Sequence, residues 1–176
     1  MPHTFRTERL LLRPWRLRDA KALATIFGDR DTAKSTKTWP HPVTEEQARW
    51  RIAQWANANP VETFGFAMVY QGAPVGSLGL TQRHDTTYSI GWGVAKPLWG
   101  QGLTVEAVRA LCAHAFAARG VTRIEADIFQ DNPGSIRVAE KVGFRFIGDI
   151  GPGWSTVLQG NFPRYGYSLL REHLVR

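Results

Sequence analysis

Gly91-Trp92-Gly93-Val94-Ala95-Lys96-Pro97-Leu98-Trp99-Gly100-Gln101-Gly102-Leu103-Thr104 joins a β-prone run that starts at Tyr88 to the start of a long helix. The helix runs from about Thr104 to Arg119. Val105, Val108, Leu111, Cys112, Ala115 and Phe116 give it one apolar stripe, and Gly120 ends it. Strand, glycine turn, helix is the arrangement of an anion site. The first amides of a helix have no internal partner and the aligned peptide dipoles add positive charge there, so backbone donors alone can hold a phosphate. Gly100 and Gly102 let the backbone come close to such a group. Without a Gly-Lys-Ser/Thr sequence the segment is not a P-loop, and it lacks the third glycine of the dinucleotide fingerprint. A Gly-x-Gly by itself also reads as a plain turn.

Working outward, β-prone runs at Arg9–Trp15, 64–70, 74–80 and 88–94 precede the glycine turn, and others at 123–129, 144–150 and 162–170 follow it. Gln71-Gly72-Ala73 between two of them is a hairpin signal, and Gly151-Pro152-Gly153 reads as a chain reversal. A short helix after Asp19 carries Leu23, Ile26 and Phe27 and stops at Gly28. Thr44-Glu45-Glu46-Gln47 is a capping box that opens a second helix through Trp50, Ile52 and Trp55. Residues 29–43 have no regular period and include Trp39-Pro40-His41-Pro42, so they read as a proline-stiffened loop. Asn132-Pro133 opens a further helix that ends near Gly143. Hairpins first and βα alternation later predict an α+β fold, a mixed, mainly antiparallel twisted sheet of about seven strands with helices on both faces. One domain over residues 1–176 is expected from the length.

Hydrophobic residues make up 43% of the chain and charged residues 21%, as in an ordered globular domain. The formal charge of +7 is scattered and forms no dense basic block, which argues against nucleic-acid binding while leaving weak steering of an anionic ligand. No apolar run is long enough to span a membrane, and no signal peptide is recognisable, so a cytoplasmic location is expected. The single Cys112 lies in an apolar stretch and reads as a core residue, with an acyl-carrying thiol as the other reading. The five histidines are far apart and no metal site is expected. The seven tryptophans leave room for a homodimer surface.

Gly91-Trp92-Gly93-Val94, Trp99-Gly100-Gln101-Gly102 and Asn132-Pro133-Gly134-Ser135-Ile136-Arg137-Val138-Ala139-Glu140-Lys141-Val142-Gly143-Phe144 together resemble the GNAT superfamily of acyl-CoA-dependent N-acetyltransferases. With Thr7-Glu8-Arg9-Leu10-Leu11-Leu12-Arg13 added, the chain is similar over nearly its whole length to the branch of the RimJ/RimL ribosomal-protein N-terminal acetyltransferases. The resemblance implies that the cofactor is acetyl-CoA. Its pyrophosphate would lie on Trp99, Gly100, Gln101, Gly102, Leu103 and Thr104, and its pantetheine arm beside Trp92, Gly93 and Val94, paired like an extra strand. Asn132 and Ser135 would sit near its sulfur. Two positions depart from the pattern. Pro97 stands where the superfamily motif starts with Arg or Gln, and Ala139 stands where many members carry the tyrosine that protonates the leaving thiolate. Ser135 is then the candidate donor to the thiolate, with a structural helix-start serine as the alternative.

The acceptor amine must be neutral to attack the thioester. A protein α-amine titrates near 7.8 and a lysine near 10.4, so an α-amine needs less help from a base. Glu125 and Asp127 alternate with Ile124, Ala126 and Ile128 and share one strand face; Glu125, Asp127 and His41 are the candidate bases, with solvated or paired groups as the ordinary reading of the two carboxylates. Trp39, His41 and Tyr88 are the candidate substrate contacts, with a core-edge plug as the other reading of Trp39. The expected function is acetyl transfer to a primary amine in a ternary complex, with a protein N-terminus as one acceptor. The alternatives are a small amine, such as an aminoglycoside, polyamine or amino-acid derivative, or a CoA-binding protein without turnover.

Overall fold

Alternation along one strand sets the layers of the molecule. In the computed structural model, which describes residues 4–59, 62–118 and 120–175, Phe66 and Met68 of strand β3 (Thr63–Tyr70) enter one apolar cluster while Ala67 and Val69 enter another. Successive residues of a strand point to opposite faces, so the sheet has a core on each side. The first core is covered by α4 (Leu103–Ala118) and α5 (Pro133–Val142), and the second by α1 (Ala20–Gly28) and α3 (Glu45–Asn57). Arg119, where the sequence places the end of the long helix, lies outside the described residues.

The other strands are β1 (Phe5–Arg6), β2 (Leu10–Pro14), β4 (Ala73–His84), β5 (Thr87–Val94), β6 (Arg123–Phe129), β7 (Arg145–Ser155) and β8 (Gly160–Leu170). Their order is β1-β2-β3-β4-β5-β6-β8-β7, with β5 and β6 parallel and the remaining neighbours antiparallel. The mixed α+β sheet is as expected, but among the described residues it has eight strands because Phe5 and Arg6 add a short edge. Among the described residues no helix is long and apolar enough to cross a membrane.

Three local expectations need correction. Residues 29–43 are not all loop, since α2 (Arg30–Lys34) forms there. Asp29 caps it by accepting from the Thr32 amide at 2.9 Å, a signal obscured by the preceding glycine. Gly151-Pro152-Gly153 does not turn the chain. Strand β7 absorbs it through an irregularity in register between Asp149 and Pro152, and the reversal follows Ser155. Strand β4 also continues past Leu80 through Gln82, Arg83 and His84, which carries the Arg83 side chain to the carboxylates of β6.

Asp19 precedes α1 but does not cap it with its side chain. Its carboxylate instead takes a two-pronged bond from Arg13 at 2.6 and 3.1 Å and one from the Arg16 amide at 2.9 Å. The capping box of α3 forms as read, with Thr44 and Gln47 exchanging bonds of 2.9 and 3.1 Å.

Candidate active site

The sheet splits between its two parallel strands. Thr87–Ser89 of β5 pair with Arg123–Glu125 of β6, and the ladder then stops. Strand β5 continues to Val94 against β4 alone, and β6 continues to Phe129 against β8 alone. Backbone groups of every second residue in an antiparallel ladder face away from the partner strand. The facing edges of β5 and β6 therefore present main-chain donors and acceptors that no strand pairs among the described residues, beside a slot that an extended chain can enter. Trp99 closes one end by donating from Nε1 to the Val94 carbonyl at 2.9 Å.

The glycine turn lies at that end. Gly100 and Gly102 have φ of +79° and +78°, in the left-handed region that favours glycine, and the Glu106 amide bonds to the Gly102 carbonyl at 3.1 Å as α4 begins. The amides of Leu103, Thr104 and Val105 precede that bond and carry the positive end of the helix. Arg9 stands beside the turn. Its Nε bonds to Glu106 at 2.7 Å and its Nη1 to the Gln101 carbonyl at 3.0 Å, while its own amide and the Thr7 hydroxyl hold the other carboxylate oxygen at 2.8 and 2.5 Å. Burial would raise the Glu106 pKa, but Thr7 and Arg9 bring it below the ordinary carboxylate value, so the guanidinium has a fixed anionic anchor. Pro97 offers no donor, and Lys96 is turned to Asp31 at 2.7 Å. Sequence reasoning missed Arg9 because its partner is 97 residues away.

A cavity of about 320 Å³ reaches from the α1/α3 side of the sheet to the start of α5. Trp92, Asn132 and Ser135 line it at the α5 end, and Phe27, Trp39, Arg51 and Trp55 at the other. Asn132 Oδ1 accepts from the Ser135 amide at 3.0 Å, and Asn132 Nδ2 donates to Ser135 Oγ at 3.0 Å. The indole Nε1 of Trp92 is buried and has no partner among the described residues. Asp127 meets Lys37 at 2.7 Å, Arg83 at 2.8 Å and Arg164 at 3.1 Å, and Arg83 also reaches Glu125 at 3.2 Å. Burial would raise the Asp127 pKa, yet Lys37 and Arg83 hold it below the ordinary range.

Residues 9–145 match the family model described as an acetyltransferase (GNAT) domain. The chain belongs to the GNAT acetyltransferase family. It is 28% identical over 148 residues to the uncharacterized N-acetyltransferase p20 of Bacillus licheniformis, covering 81% of this chain and 82% of that protein. The crystal structure of a GNAT acetyltransferase from Bacillus anthracis is 26% identical, with a TM-score of 0.84 over 96% of this chain and 99% of the other. Mycobacterium smegmatis RimJ, solved in complex with CoA-disulfide, is alike in fold, with 24% identity and a TM-score of 0.87 over 99% of this chain and 90% of that one.

In this GNAT chain the structure brings Trp39, Trp92, Asn132 and Ser135 to one cavity, with the turn from Trp99 to Thr104 at the end of the adjoining slot. It does not bring all the anticipated residues there. Tyr88 is 3% exposed in the core against α4, and His41 is exposed and does not line the cavity. Glu125 lies beside the cavity wall, tied to Arg83. Ala139 is fully buried in the α4-side core. Cys112 is likewise fully buried in the core, and burial pushes its thiol pKa up, away from the thiolate form an acyl carrier uses. Lys37, Arg51 and Arg83 were not legible as site residues. Only the closure of the 35–39 segment over α3 and the extension of β4 bring them to one cavity.

Proposed function

We propose that the protein moves an acetyl group from acetyl-CoA to the nitrogen of a primary amine, by direct attack within a ternary complex. The observation that carries this reading is the cavity that crosses the gap between β5 and β6. It is lined by Ser89 to Trp92 of β5 and Ala126 to Ile128 of β6 and reaches from Asn132 and Ser135 at the start of α5 to Trp39, so a cofactor held at the α5 end and an acceptor held at the Trp39 end can meet in it. The residues present fit acetyl-CoA. The left-handed glycines and the first α4 amides suit its phosphates, Arg9 adds a guanidinium, and the edge of β5 from Trp92 to the Val94 amide, which β6 does not pair, suits its pantetheine amides.

When bound, acetyl-CoA supplies the activated acetyl group. Ser135 accepts from Asn132, which leaves its own hydroxyl hydrogen for the departing sulfur. Asp127, clamped by cations, is a weak base, so the acceptor must arrive partly neutral, as an α-amine does near its pKa of about 7.8. A cavity of about 320 Å³ walled by Phe27, Trp39 and Trp55 favours a compact acceptor, a free small amine, over a long peptide segment. A protein N-terminus is the second reading and would need only its first residues inside. The test follows free thiol release from acetyl-CoA against small α-amines and N-terminal peptides. Turnover of small amines at higher kcat/KM supports this choice, and a preference for peptides selects the N-terminal reading. Measurable acetyl-CoA binding with no amine consumed overturns the transferase proposal in favour of a CoA-binding protein.

A further inference from the structure

The acceptor side of the cavity carries more positive than negative charge. Lys37, Arg51 and Arg83 line it against the single carboxylate of Asp127. Lys37 and Arg83 are both committed to Asp127, at 2.7 and 2.8 Å, and Arg83 also reaches Glu125. Arg51 is different. It lies over the Trp39 ring at 4.8 Å and donates to the Thr38 carbonyl at 3.3 Å, and no carboxylate is paired with it among the described residues. A guanidinium has five N–H donors in a flat fork matched to a carboxylate or phosphate, so most of its capacity is unused. Its desolvation is visible in a pKa lowered by burial.

The side chain is also held in place. Trp39 is 6% exposed, stacks on Phe27 at 4.7 Å and meets Trp55 edge-on at 6.3 Å, so the surface under Arg51 is rigid. Trp39 therefore acts as a positioning residue for Arg51 more than as a stacking platform for substrate. A fixed, half-buried cation without a counter-ion in a substrate cavity raises the affinity of an anionic group there.

We infer that the acceptor is an amine that also carries a carboxylate or phosphate group, bound by the Arg51 fork at the Trp39 end while its nitrogen points to the gap between β5 and β6. This rests on the transferase reading, deepens it to a substrate class, and can be tested apart from it.

The first experiment compares thiol release for matched amines, each carboxylate with its carboxamide and each phosphate with its dephosphorylated alcohol, in wild type, Arg51→Gln and Arg51→Lys. The expected result is a preference of at least about tenfold in kcat/KM for the anionic member in wild type. Arg51→Gln should lower kcat/KM for the anionic member by about tenfold more than for the neutral one, so that the preference disappears, and Arg51→Lys should restore part of it. Comparing the carboxylate and phosphate pairs shows which anion is used. Equal turnover of both members in wild type, or an equal loss for both in Arg51→Gln, overturns the inference. The second experiment needs no turnover and so separates its failure from that of the transferase reading. Calorimetric titration of the CoA-loaded protein with inorganic phosphate and with acetate should give binding of at least one that Arg51→Gln weakens about tenfold or more. Binding of neither, or of either equally in both proteins, overturns it.

Discussion

Asn132 and Ser135 exchange two hydrogen bonds of 3.0 Å, one capping α5 and the other directed to the serine oxygen. The cap uses the Ser135 backbone amide, not its hydroxyl. Ser135→Ala should therefore leave the helix cap and thermal stability nearly unchanged while lowering kcat by about 10²-fold or more, with little change in KM for acetyl-CoA. Asn132→Ala should also destabilise by about 1 kcal/mol through the lost cap. Steady-state kinetics with thermal unfolding of both variants checks this. An unchanged kcat for Ser135→Ala leaves the hydroxyl without a catalytic role.

The rate should follow the substrate's own ionisation. Because Asp127 is ionised and held by Lys37 and Arg83, log kcat/KM should rise with pH up to the acceptor amine's pKa, near 7.8 for an α-amine, and then level. Asp127→Asn should lower activity by disturbing its three cations without moving that midpoint. A profile whose midpoint shifts in the variant would identify Asp127 as the base after all.

Gly93 has no room for a side chain. A Cβ there would meet the Phe27 ring at 2.7 Å, and Phe27 in turn supports Trp39. Gly93→Ala should cost about 1–3 kcal/mol through overpacking, and should raise KM for the acceptor because Trp39 and Arg51 move with Phe27. Denaturant unfolding and acceptor KM, measured on the same preparation, decide it; a variant of wild-type stability would mean that Phe27 yields freely.

Arg13 and Asp19 form an ion pair whose side chains are each 8% exposed. Removing one partner leaves a buried charge, so Asp19→Ala should destabilise by about 3–5 kcal/mol. Burial would raise the Asp19 pKa, but bonds from Arg13 and the Arg16 amide leave it below the ordinary 3.8. The stability from this depressed carboxyl is present above 3.8 and fades as pH falls through the lower folded-state value. Acid titration of unfolding in wild type against Asp19→Asn should show that component missing in the variant.

The parts that could be read from the sequence are those set by neighbours in the chain. The Thr44–Gln47 capping box, the Asn132-Pro133 helix start and the apolar stripe of α4 need only three or four residues of context, and each element stands where expected. Arg83 lies between the β-prone runs 74–80 and 88–94, where its polarity breaks the strand pattern. In the fold its side chain is matched by carboxylates on β6, 42 and 44 positions further on. Arg51 lies on a helix that its capping box announces, but its partner Trp39 lies on a segment without period, so nothing in the chain order points to the pair. Gly151-Pro152-Gly153 misled for the opposite reason. Its local turn chemistry was strong, but pairing with β8 on both sides of it prevails.

The interrupted ladder between β5 and β6 has a consequence for turnover. On the proposed reading, everything that fills the gap, the pantetheine amides and the phosphates beyond them, is the same before and after the acetyl group has left. Spent cofactor then completes the sheet as well as fresh cofactor does. The protein would be inhibited by its own product in competition with acetyl-CoA, and its output would follow the ratio of the acetylated to the free form instead of the amount of either.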